Sequence, residues 1–95
     1  MDISVGIAYD ADIQQAREVI LSAIKKSDYV LDSPEPTVGV TELADNSVNL
    51  TVRPWAKALD HPAANLELLE RIKVALDAAG IGIPFPQRDV HIYNH

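Results

Sequence analysis

A two-layer α+β sandwich, ordered strand, helix, strand, strand, helix, strand, is the fold class this sequence predicts, and three observations predict it. Apolar residues recur with period two in several short runs and with helical spacing in two longer ones. Turn residues or prolines punctuate the boundaries between those runs. The chain has 95 residues, 47% of them hydrophobic, which suits one compact core and leaves no room for a second domain.

The first run, Ile3 to Ala8, alternates Ile3, Val5 and Ile7 with Ser4, Gly6 and Ala8, as a strand with one buried face does. Asp10 and Asp12 follow as candidate N-caps, and Gln15 stands three residues after Asp12 in the spacing of a capping box. The stripe Ile13, Ala16, Ile20, Ala23 and Ile24 predicts a helix from Ile13 to Lys26, with Lys25 and Lys26 at its negative end. After the proline-interrupted loop Ser33 to Pro36, Val38 and Val40 alternate with Gly39 and Thr41 up to Leu43. Asp45, Asn46 and Ser47 mark a turn, and Val48, Leu50 and Val52 then alternate with Asn49, Thr51 and Arg53, which predicts a hairpin. Pro62 fits the first turn of a second helix capped by Asp60 or His61. Its stripe Leu69, Ile72, Leu76 and Ala79 runs to Gly80 in the C-terminal capping position, and Glu67 and Arg71 make a favourable i,i+4 pair.

A last strand beside the first completes a ferredoxin-like βαββαβ sandwich with both helices on one face. Ile81, Ile83 and Phe85 alternate with Gly82, Pro84 and Pro86, and both Ile83 and Phe85 precede a proline that holds them extended. An edge strand that buries Phe85 and uses its prolines to limit further pairing accommodates this pattern. Residues 1–87 therefore read as the sandwich and residues 88–95 as an appended tail. Within the tail Val90 and Ile92 face one way and His91 and Tyr93 the other. A lone strand of that length frays, folds back or pairs with another chain; identical strands around a symmetry axis close a parallel barrel with no free edge.

Composition narrows the function. Fourteen acidic against eight basic side chains give a net charge of −6, spread along the chain, which disfavours nucleic acid and anionic membrane surfaces as partners. No apolar stretch approaches the roughly 18 residues of a membrane span, and the first residues do not read as a signal segment. Met1 reads equally as a native start or as the start of a domain cut from something longer. Cysteine is absent, so neither a disulfide nor a thiolate metal site holds the fold.

Three stretches, VGIAYDADI (Val5 to Ile13), VNLTVRPWA (Val48 to Ala56) and LLERIKVALDAAGIGIPFPQRDV (Leu68 to Val90), closely resemble the cytoplasmic C-terminal domain of the small-conductance mechanosensitive channel family, MscS. The block from Leu69 to Gln87 is the most specific, including Gly80, Pro84, Phe85, Pro86 and Gln87. The resemblance implies an integral membrane channel of bacteria and related organelles, homoheptameric, that releases solutes on hypoosmotic shock. It implies that this domain walls a hollow cage on the cytoplasmic side of the membrane, and that Val90, His91, Ile92 and Tyr93 form an intersubunit barrel strand. The transmembrane helices, the pore helix and the middle β domain of that family are missing, so this chain by itself neither conducts ions nor senses tension, and its expected partners are further copies and those missing segments. No membrane contact by this segment is expected.

The site-like residues have blander readings. His91 and His95 have a helical metal-ligand spacing, but in an extended tail they stand about 13 Å apart, so no metal site is expected. Asp10 and Asp12 as an acid/base pair lose to helix capping. Asn49 and Arg53 resemble the amide and guanidinium of acylphosphatases, which share the topology, yet Tyr9 to Asp12 offers two carboxylates where phosphate needs a glycine-rich loop. Arg53, Pro54 and Trp55 read instead as a strand stop, with Trp55 packed on a neighbouring element or the next subunit. No enzymatic activity and no cofactor are expected. The alternative to the channel reading is a ferredoxin-like module that senses a small molecule at a dimer interface.

Overall fold

A computed structural model describes residues 1–83. Its elements are β1 (Ile3–Ala8), α1 (Ile13–Lys25), β2 (Thr37–Leu43), β3 (Ser47–Arg53), a 3-10 turn (Ala58–Asp60) and α2 (His61–Ala78). The three strands form an antiparallel sheet of order β1-β3-β2. β1 pairs with β3 from Ile3↔Val52 to Ala8↔Ser47 without interruption. β2 pairs with β3 from Thr37↔Arg53 to Leu43↔Val48, with a register shift between Val40 and Glu42.

Alternation along the strands decides what is buried. Ile3, Val5 and Ile7 of β1 and Val48, Leu50 and Val52 of β3 turn to one side. There they form a single core with Ala16, Ile20 and Ile24 of α1 and Ala64, Leu68, Ile72 and Leu76 of α2. Both helices therefore cover one face of the sheet. Arg53 and Ser4 on the opposite face are exposed, and Gly6, Asn49 and Thr51 are half-buried. Asp12 caps α1: its Oδ1 accepts the backbone N–H of Gln15 at 3.1 Å, while Asp10 lies in an exposed turn.

Several sequence expectations are corrected. The buried stripe of α2 is Ala64, Leu68, Ile72 and Leu76, at strict intervals of four, so Leu69 is displaced to the flank and is 43% exposed. Asp60 occupies the N-cap of α2 but makes no side-chain cap bond; His61 Nε2 instead lies 3.1 Å from the Ala56 carbonyl oxygen. In β2 only Val38 is buried; Val40, at the edge of the sheet, is 39% exposed, and Leu43, beyond the register shift, is 66% exposed.

The end of α2 is a Schellman turn. Gly80 has φ 76°, and the N–H groups of Gly80 and Ile81 donate to the Asp77 and Leu76 carbonyls at 3.1 and 2.9 Å. The turn aims Ile81 into the core beside Leu76 and lays Gly82 against the first strand, where the Ala8 N–H donates to the Gly82 carbonyl at 2.8 Å. Ile81 to Ile83 thus runs at the free edge of β1 without forming a ladder of its own. The expected fourth strand continues to Phe85, and its remainder lies outside the described residues, as do Pro84, Pro86, Gln87 and the tail strand Val90 to Tyr93.

Candidate functional site

The surface at the edge of β1 is built by two elements and the segment after α2. β1 contributes Ser4, Val5 and Gly6, α2 contributes Leu69, Ile72 and Lys73, and Ile83 closes one side. Together they line a cleft of about 220 Å³. Leu69 is part-exposed because it faces this cleft rather than the core. Four apolar side chains, Val5, Leu69, Ile72 and Ile83, thus flank the edge of β1 here.

A second feature joins the helices on the outer side. Ser27, just past the end of α1, is the buried polar side chain of the described core, 5% exposed. Its hydroxyl donates to Glu67 Oε1 and accepts the Tyr29 backbone N–H at 3.2 Å. Arg71 Nε donates to the same Glu67 oxygen at 3.1 Å, one turn along α2. The Ser27 hydrogen bond is the main reason the Glu67 carboxyl sits below its ordinary range; partial desolvation acts upward, and Arg71 adds a further downward pull. Beyond this clasp the two helices leave a shallow groove of about 580 Å³ bounded by Lys26, Glu70 and Val74.

The residues that suggested chemistry are engaged elsewhere. Asn49 Nδ2 donates to Glu42 Oε1 at 2.8 Å and its Oδ1 accepts from Ser47 at 2.9 Å. Arg53 pairs with Asp2 at 3.4 Å across an exposed surface. Four residues apart on β3, Asn49 and Arg53 are separated by about 13 Å, and each already faces a carboxylate, so they cannot converge on one anion. Trp55 is 49% exposed, and its carbonyl accepts the Leu31 N–H at 2.7 Å, which ties the end of β3 to the loop after α1. Among the described residues no cluster of three metal-ligating side chains forms, and no helix is long and apolar enough to cross a membrane. His91 and His95 lie outside them.

Sequence reasoning missed Ser27 altogether. Its partner Glu67 is 40 positions away, and a serine after two lysines signals only the end of a helix.

Comparison with known proteins agrees with this architecture. The family described as mechanosensitive ion channel MscS, C-terminal, matches residues 1–83. An uncharacterized MscS family protein of Synechocystis is 44% identical over 97% of the chain, and the small-conductance mechanosensitive channel of Edwardsiella ictaluri is 43% identical over 98%. The chain spans about a third of the length of each, 31% and 32%. The closed-state crystal structure of MscS from Helicobacter pylori superposes on all of the chain with a TM-score of 0.84 at 34% identity, over 38% of its own chain.

Proposed function

This chain belongs to the MscS family of mechanosensitive channels, as its C-terminal domain, and on that premise we propose that it is a wall and assembly domain of a homoheptameric channel. The family is one of channels rather than of enzymes, and the fold is the α+β fold of its C-terminal domain. In the proposed role the sandwich forms part of a cage on the cytoplasmic side of the membrane, through which ions and small solutes leave during hypoosmotic shock. Its partners are six further copies, together with the membrane and middle segments of a longer channel chain.

The observation that carries the reading is the docking of the chain after α2 against β1. Among the described residues the core runs from Ile3 to Ile81, and the Gly82 carbonyl lies at the edge of β1, where Ile81 to Phe85 is expected to complete the sandwich. On this reading Ile81 to Phe85 completes the sandwich, Pro86 and Gln87 lead out of it, and Val90, His91, Ile92 and Tyr93 serve between subunits as one strand of a parallel barrel. One strand per copy buries much less than the roughly 800 Å² per partner of an ordinary stable interface, so the ring is weak unless the membrane and middle segments hold the copies together.

Light scattering over a range of concentrations, on the intact chain and on a copy ending at Gln87, tests this. A sevenfold mass for the intact chain and a monomer for the shortened one make the tail the assembly element, whereas two monomers leave assembly to the segments this chain lacks. Equal masses for both remove the tail from assembly, and a ligand-dependent dimer favours the sensing module instead.

A further inference from the structure

β2 ends the sheet, and among the described residues no strand flanks its outer side. Its first five residues, Thr37-Val38-Gly39-Val40-Thr41, read the same in both directions. Such a strand is complementary to itself in antiparallel pairing. A two-fold axis at Gly39 sets Val38 opposite Val40 of a second copy and Thr37 opposite Thr41. Those are β-branched pairs, which favour pairing, and no like charges meet. Nothing lies within 4 Å of the point a Cβ at Gly39 would occupy, so a side chain can be placed there without a clash. By its sequence this edge is a template for a second copy of the chain.

A side chain from α1 stands on it. Arg17 Nε donates to the Val38 carbonyl at 3.1 Å in a partly buried contact. The guanidinium is steadied from behind: Arg17 Nη1 donates to Gln14 Oε1 at 2.7 Å, and Gln14 Nε2 donates to Glu18 Oε2 at 3.1 Å. In the two-fold pairing that Val38 carbonyl is the acceptor needed by the Val40 amide of the second copy, and the axis requires it twice. The register shift after Val40 bends the rest of the strand away from a straight partner.

We infer that Arg17 is an edge guard: by holding the Val38 carbonyl it keeps the palindromic strand β2 from pairing with β2 of a second copy. This inference does not depend on the number of subunits in any larger assembly, because it concerns one edge and its own axis.

The chain has no cysteine, so Gly39→Cys places a single thiol at the two-fold position, where opposed Cα atoms of an antiparallel pair lie within disulfide reach. Under mild oxidation, Arg17→Ala with Gly39→Cys should give disulfide-linked dimer on the order of tenfold more than Gly39→Cys alone, the weight of one charged hydrogen bond. Leu66→Cys, exposed on the far side of α2, should show no such rise in the Arg17→Ala background. Arg17→Gln keeps much of the aliphatic stem and serves as the second variant if Arg17→Ala disturbs folding. Equal cross-linking with and without Arg17, or an equal rise at both thiol positions, overturns the inference.

Discussion

At Ser27 one hydroxyl joins the end of α1 to the middle of α2, and it also favours the ionised form of its partner. The Ser27 donor and the Arg71 guanidinium both favour the ionised Glu67 carboxylate, so its folded-state pKa lies below the ordinary 4.5. A depressed carboxylate stabilises the fold above its unfolded-state value, and that contribution disappears as pH falls through the lower, folded-state value. Ser27→Ala removes the larger cause. It should lower the melting temperature at pH 7 and flatten the decline in melting temperature on acidification below about pH 4.5 relative to wild type, both read by circular dichroism. An unchanged acid profile would show that the hydroxyl does not set the carboxyl. Arg71, on the exposed side of the clasp, is screened by solvent, so its removal should have the smaller effect.

Along α2 the phase of the helix separates residues that composition treats alike. Leu68 is fully buried, whereas Leu66 points outward at 72% exposure. Leu68→Ala should cost about 2–5 kcal/mol in chemical denaturation, and Leu66→Ala should stay within about 0.5 kcal/mol. Comparable losses at both positions would mean that the outer face of α2 is covered in solution. This phase was only half legible in the sequence. Ile72 and Leu76 fit either Leu68 or Leu69 as the preceding turn, and the small Ala64, which selects Leu68, carries little hydrophobic signal of its own. The start of α1 was legible because Asp12 and Gln15 impose it locally, and the hairpin because its alternation and turn lie within seventeen residues. The exposed end of β2 was not, since a bulge is set by pairing with a neighbour and not by the strand's own pattern. The clasp at Ser27 and the hold of Arg17 on Val38 were illegible for a related reason: they link residues 40 and 21 positions apart.

For the molecule as a whole, the path of the chain relative to its sheet has a mechanical consequence. The polypeptide enters at Ile3, at one end of β1, and the described chain ends just past Gly82, which is fastened to Ala8 at the other end of the same strand. Those ends of β1 are separated by roughly 17 Å along its length. Tension carried from one to the other therefore pulls β1 lengthwise past β3, loading every bond from Ile3↔Val52 to Ala8↔Ser47 at once instead of peeling them one by one. Single-molecule stretching between handles at Ile3 and Ile83 should need a higher rupture force than stretching between Ile3 and Val52, which opens the same ladder from its end; equal forces would mean that β1 is not the element bearing the load. A pull applied between Ile3 and the Gly82 anchor thus meets the sandwich along its stiffest direction.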